Sequence, residues 1–170
     1  MRTIVVEPYD PAWPVEFARI RDWLWPQVCD LALDIVHVGS TSVPGLAAKP
    51  IVDFAIVMES YAVFPALQAR LEALGYEHEG DLELPAREAF KGGPAGFMVY
   101  HMYVCPQDGT EYLRWLLFRD WLREHDEDRD AYAELKRELA KRYPHDIDAY
   151  IAGKHALIEK IIRKAREKYG

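Results

Sequence analysis

The hydrophobic rhythm of the sequence changes once, near residue 109, and that change constrains the fold more than any single motif. Before it, short runs rich in β-branched residues alternate with turns; after it, apolar residues recur at helical spacing to the end of the chain. Leu33-Asp34-Ile35-Val36-His37-Val38 reads as a strand running into Gly39, and Ile51–Met58 as a second strand, apolar enough to be buried on both faces. Weaker strands are expected around 76–79 and 86–90, and a stronger one at Phe97–Val104 after the Gly92-Gly93-Pro94 turn. Two helices are expected among these strands. Val15–Cys29 places Phe17, Ile20, Leu24 and Val28 on one face with Pro14 in its first turn, and Trp13, Trp23 and Trp25 read as packing residues. Pro65–Leu74 stops at Gly75, a favourable C-cap. Beyond residue 109 three helices are expected, Thr110–His125, Asp128–Tyr143 and Asp146–Tyr169, with Thr110 and Asp146 as N-caps and Pro144 as the break. Strands followed by a run of helices predict an α+β fold: a small mixed sheet with flanking helices and a C-terminal helical segment. One domain is expected over residues 1–170, with the sheet region at about 1–109 and the helical region at about 110–170.

Charge divides at the same place. Residues 1–110 carry 7 basic and 15 acidic side chains, residues 111–170 carry 14 and 13, and the whole chain is at −7. So acidic a chain is a poor candidate for broad nucleic-acid binding, which depends on neutralising phosphates with Lys and Arg. A small phosphate-bearing ligand held by a few placed groups remains compatible with it. Cys29 and Cys105 are far apart and lack metal-ligand spacing, which excludes a zinc framework and a disulfide-dense secreted fold and leads us to expect a reducing cytoplasm. The first residues form too short an apolar run for a signal peptide. No later stretch reaches the roughly 18 apolar residues of a membrane span, so no membrane partner is expected.

Chemistry concentrates in the loop between the first two strands. Gly39-Ser40-Thr41-Ser42-Val43-Pro44-Gly45 offers hydroxyls and flexible backbone, with Lys49 downstream. Such a loop serves either as a plain turn or as a cradle whose N–H groups and hydroxyls meet phosphate oxygens. Asp53 stands early in the apolar strand that follows. A carboxylate in those surroundings is costly unless it is paired, hydrogen-bonded or bound to a cation, so an ion pair with Lys49 or an Arg stands beside metal binding as its reading. On Phe97–Val104, His101 and Tyr103 share one face with Phe97 and Val99; if that strand neighbours Ile51–Met58, His101 reads as a ligand or base near Asp53 as well as a satisfied histidine. Lys154 falls between Ile151 and Ile158 at the edge of an apolar helix face, where it either snorkels to water or points into a pocket. Arg119, between Trp115 and Leu122, either meets a phosphate or pairs with Asp53 or Asp120. Arg87 and Lys91 are surface charges or phosphate contacts. The alternating charges Glu134, Lys136, Arg137, Glu138, Lys141 and Arg142 read as an exposed helix face, and the acidic run 124–130 as a solvated connector.

Several blocks together resemble the GrpB family: Val6-Glu7-Pro8-Tyr9-Asp10-Pro11-Ala12-Trp13-Pro14, the long run from His37 to Asp53, His101-Met102-Tyr103-Val104, Leu116–Leu122, and Tyr143–Tyr150 followed by Gly153-Lys154. The resemblance covers almost the whole chain. It implies a fold similar to the polymerase-β-type nucleotidyltransferases. There a Gly-Ser loop holds the triphosphate, two acids one apolar residue apart bind divalent cations with a third acid nearby, and a nucleotidyl group is transferred. Carried over residue by residue, Gly39, Ser40 and Thr41 match the phosphate loop and Asp53 the first acid, with Mg2+ as the implied cofactor and a nucleotide as the implied partner. The second acid position is Ala55. That departure sets two expectations side by side. One is a nucleotidyltransferase in which Asp53 and His101 serve catalysis or metal binding while Lys49, Arg119 and Lys154 neutralise phosphate. The other is a catalytically degenerate module for ligand or protein binding, linked to coenzyme A metabolism because family members occur fused to dephospho-CoA kinase.

Overall fold

A computed structural model describes residues 2–169 of the chain. Helix α1 (Ala12–Val28) precedes strand β1 (Asp34–Val38), a one-turn 3-10 segment at Ser40–Ser42, and β2 (Val52–Met58). Then come α2 (Phe64–Ala73), β3 (Tyr76–Gly80), β4 (Glu88–Gly92), β5 (Tyr100–Pro106), α3 (Thr110–Glu124), α4 (Asp126–Arg142) and α5 (Ile147–Tyr169). The five strands form one mixed sheet in the order β1-β2-β5-β4-β3. Only β2 and β5 run parallel. The α+β expectation and its change of character after residue 109 both hold in this architecture.

Alternation along the central strands divides the core. Val52, Phe54, Ile56 and Met58 of β2 turn toward α1 and α2 and pack with Ile20, Leu24, Leu67 and Leu71. Ala55 and Val57 turn the other way and meet Cys105 and Tyr112, the latter on α3. The α4 and α5 helices stack on α3 through Trp121, Leu122, Tyr132, Ala133, Ile161 and Ala165, together with Val43, Leu46 and Ala47 from the loop before β2. Helices therefore cover both faces, which is why β2 is nearly continuously apolar.

Boundaries shift where local chemistry overrides periodicity. The third strong strand begins at Tyr100 instead of Phe97, because Gly96 takes a left-handed turn (φ 102°) and Phe97 folds back to the α1 side, 6.0 Å from the Trp23 ring. Phe97 thus does not share a face with His101, and Val99 is exposed. Strand β4 starts two residues late, after a loop in which Leu82, Glu83 and Ala86 all have positive φ. Thr110 is the first helical residue of α3, not its cap; Gly109 holds that position and contributes no side-chain bond. Asp146 does cap α5, accepting from the Ala149 N–H at 3.1 Å. Helix α4 begins at Asp126, with three acids in its first turn where the helix dipole favours them.

Candidate functional site

The site begins with the register of the first two strands. Val38 pairs with Asp53 across β1 and β2, so the chain leaving β1 turns directly over the carboxylate. Gly39 makes that turn at φ 74°, and a Cβ there would sit 2.5 Å from Asp53 Oδ2. Glycine is required on both counts, by the left-handed backbone and by the close approach. On the other side of β2, the parallel pairing puts Asp53 opposite His101 of β5, and His101 Nδ1 lies 2.9 Å from Asp53 Oδ1. His101 remains half-exposed.

These groups open into a cleft of about 250 Å³ between the sheet and the helical region. Gly39, Ser40, Asp53 and His101 form its sheet wall, and Lys49 and Arg87 flank it. Tyr103 and Trp115 provide an aromatic floor, their rings 5.2 Å apart, with Arg87 stacked 4.9 Å above Tyr103. From the helices come Lys136, Tyr150 and Lys154. The Nζ atoms of Lys49 and Lys154 lie 5.3 and 4.6 Å from the centre of the Tyr150 ring, and Lys136 Nζ lies 4.7 Å from that of Tyr132.

Electrostatics follow from this crowding. Burial, reinforced by the charge of Lys49, lowers the Lys154 pKa to about 8. Lys136 is 2% exposed, and burial followed by repulsion from Lys154 and Lys49 holds it well below an ordinary lysine. Lys49 is also lowered by burial, against the opposing pull of Asp53. The Tyr103 phenol is pushed up to about 12, first by burial and then by the Asp53 charge.

Of the residues singled out in the sequence, Gly39, Ser40, Lys49, Asp53, His101 and Lys154 come together in this cleft. Two others do not. Thr41 is 2% exposed, and its Oγ1 lies 2.9 Å from His37 Nε2, a ring stacked on Phe17 and pushed down to about 4 first by burial and then by Arg123 and Arg119. Arg119 donates to the His37 carbonyl at 3.0 Å and to Asp120 at 2.8 Å, so its guanidinium braces the edge strand β1. Lys91 lies 3.7 Å from Glu77, away from the cleft, whereas Arg87 lines it. The reading of Lys136 as part of an exposed face is corrected: it lies four residues after Tyr132 and three before Leu139, on the buried stripe of α4. The spacing argument that singles out Lys154 applies equally to it.

Ala55, at the expected second acid position, is fully buried beneath α3 in a hydrophobic cluster with Val57, Cys105 and Tyr112. Asp53 is the one acid among the described residues lining the cleft, and among them no three His, Cys, Asp or Glu side chains gather as a ligand set. The donor set does not fit a pair of divalent cations.

Comparison with solved structures defines the class. A GrpB protein from Enterococcus faecalis matches with a TM-score of 0.85 and 38% identity, covering 97% of this chain and 99% of that one. The Cid1 poly(U) polymerase matches with a TM-score of 0.53 over 81% of this chain and 42% of its own, at 16% identity. Other Cid1 structures are described with bound MgGTP and MgATP. The fold is nucleotidyltransferase-like. The sequence model of the family described as GrpB protein matches residues 3–164, and the chain belongs to that family. The UPF0157 protein PA4798 of Pseudomonas aeruginosa is 41% identical over 165 residues, covering 95% of this chain and 67% of that protein. A dephospho-CoA kinase of Mycolicibacterium paratuberculosis is 32% identical over 184 aligned residues, covering 93% of this chain and 45% of the kinase.

Proposed function

We propose that the cleft binds the phosphate groups of a nucleotide or another phosphate-bearing small molecule. The observation that carries this reading is the convergence of the Gly39-Ser40 turn, Lys49 and Lys154 on one concave surface beside Asp53 and His101. Glycine at the turn leaves backbone approachable by phosphate oxygens, and the Ser40 hydroxyl and the lysines supply donors and charge. Because both the sheet and the helical region contribute lining residues, the whole chain acts as one unit. Cys29 and Cys105 are both free, which supports work in a reducing cytoplasm. Among the described residues no helix is long and apolar enough to cross a membrane.

The fold supports a transfer step at this position. The oxygen of an acceptor hydroxyl bonds to the α-phosphorus, the α–β phosphoanhydride bond breaks, and pyrophosphate leaves with its electrons. His101, oriented by Asp53, takes the hydroxyl proton. Cid1 structures are described with MgGTP and MgATP bound; with a single acid in the cleft, the anchoring of such an ion here would rest on Asp53 alone.

A second reading is favoured by Ala55: the chain keeps the fold and the phosphate-binding surface as a non-catalytic module for a ligand or protein partner. The similarity to a dephospho-CoA kinase directs that module toward coenzyme A metabolism. A thermal-shift screen of nucleoside di- and triphosphates, coenzyme A and dephospho-CoA, with and without Mg2+, tests both readings. A binding ligand raises the melting temperature by mass action. Turnover in the wild type that His101→Ala abolishes, with binding retained, supports transfer. Binding without turnover supports the module. Stabilisation by none of these ligands overturns the phosphate reading itself.

A further inference from the structure

We propose that this cleft takes an oligophosphate, a ligand with two or more linked phosphates and at least three negative charges, and holds it through its basic side chains without a divalent cation. The inference rests on the phosphate reading above and names the class of ligand and the means of neutralising it. Its first support is the imbalance of charge. Lys49, Arg87, Lys136 and Lys154 line the cleft against the single carboxylate of Asp53. One inorganic phosphate, with at most about two charges near neutral pH, leaves that excess uncompensated; a di- or triphosphate matches it.

The second support is independent of charge counting. Among the described residues three buried side-chain polar atoms have no hydrogen-bond partner: Lys136 Nζ, Arg87 Nε and the Tyr150 hydroxyl oxygen. All three residues line this one cleft. Buried polar groups in folded proteins are almost always paired, and an unpaired ammonium is the most unfavourable of them. The Tyr132 ring compensates Lys136 only in part, because a quadrupole supplies no acceptor oxygen. Lys136 is held instead among repelling cations, Lys49 and Lys154, a strain that a bound polyanion removes.

Divalent cations are disfavoured by the same residues. A second metal needs a carboxylate where Ala55 lies buried under α3, and any ion beside Asp53 would share the cleft with the lysine cluster. Three lysines, whose protonated form a bound polyanion favours, and one guanidinium thus occupy the electrostatic role that metals fill in two-metal transfer sites.

Isothermal titration with orthophosphate, pyrophosphate and tripolyphosphate, first in EDTA and then in excess Mg2+, tests this directly. Pyrophosphate and tripolyphosphate are expected to bind in EDTA at least about tenfold more tightly than orthophosphate. Added Mg2+ should weaken that binding by competing for the phosphate charge. Lys136→Met should reduce affinity at least about tenfold and raise the melting temperature, since it removes a buried, unpaired Nζ while keeping the packing. Replacing a purely structural lysine would lower the melting temperature and leave the affinity of the folded variant unchanged. If Lys136→Met fails to fold, Lys49→Ala, at a half-buried position, should show the same loss of affinity. Binding only in Mg2+, or unchanged affinity in the folded variant, overturns the inference while leaving the phosphate reading in place. Absence of binding by any phosphate, nucleotide or coenzyme A species under either condition removes both.

Discussion

Two sets of basic side chains flank the loop after β1, and the protein uses them in opposite ways. On the helical side, Arg119 donates to the His37 carbonyl at 3.0 Å, Arg123 to the Ser42 carbonyl at 3.0 and 2.8 Å, and Arg129 to the Pro44 carbonyl at 3.5 Å. On the cleft side, Lys49, Lys136 and Lys154 form no ion pair within 4.0 Å among the described residues and rest against tyrosine rings. The guanidinium fork is suited to bracing backbone, since its donors point in fixed directions and its charge survives burial. An ammonium on a flexible stem is suited to waiting for a ligand, and its pKa yields when it is buried. The arginines hold the loop in shape; the lysines leave the surface beneath it electrostatically unfinished.

Gly39→Ala should break this arrangement most severely, because the loop divides the two sets. The left-handed backbone and the contact with Asp53 Oδ2 together are expected to destabilise the fold by about 3 kcal/mol, measured by urea denaturation. Adding Asp53→Ala should restore part of that loss. Full additivity of the two changes would mean that the carboxylate contact is not the source of the strain.

Arg119→Met should follow, losing about 2 kcal/mol of stability through the unpaired His37 carbonyl while changing oligophosphate affinity less than about threefold. A large loss of affinity with stability unchanged would erase the division between bracing arginines and binding lysines.

The smallest effect concerns pH. Lys154, with a pKa lowered to about 8 from 10.5, releases its proton in the folded protein before it does so in the unfolded chain. Between pH 8 and 10.5 the unfolded state therefore binds more protons, and the stability of the ligand-free protein from this group rises with pH. Ligand binding should move the other way: affinity for a nucleoside triphosphate, whose phosphates are already ionised, should fall as pH passes through 8. Melting curves and titrations at pH 7 and 9 test the opposed signs, and Lys154→Met should reduce both slopes, leaving the share that the lowered Lys136 and Lys49 contribute.

Much of the fold was legible because its signals are local. Ile20, Leu24 and Val28 recur at helical spacing and are buried, and the uninterrupted apolar run of β2 is covered on both faces. Asp53 and His101 can be linked from sequence only on the condition that their strands are neighbours; nothing local shows that β2 and β5 run parallel in the register that places them opposite one another. Thr41 falls outside the cleft, and Arg119 takes the pairing with Asp120 that its position also allowed, for a related reason. A hydroxyl beside a glycine loop and an arginine on a helix each suit phosphate, and only packing reveals that His37 occupies the one side chain directly and the other through its carbonyl. Lys136 was hidden among alternating charges although its spacing from Tyr132 and Leu139 was visible.

By itself the sequence determined the order of strands and helices, the glycine that opens the loop after the first strand, and the absence of a second acid at Ala55, because backbone propensity and residue identity are properties of a chain segment. Tertiary structure decided which basic groups are spent on backbone and which are left unpaired in the cleft. That choice depends on whether an acceptor lies within reach once the helices have packed on the sheet, and distance in space is not written in sequence spacing.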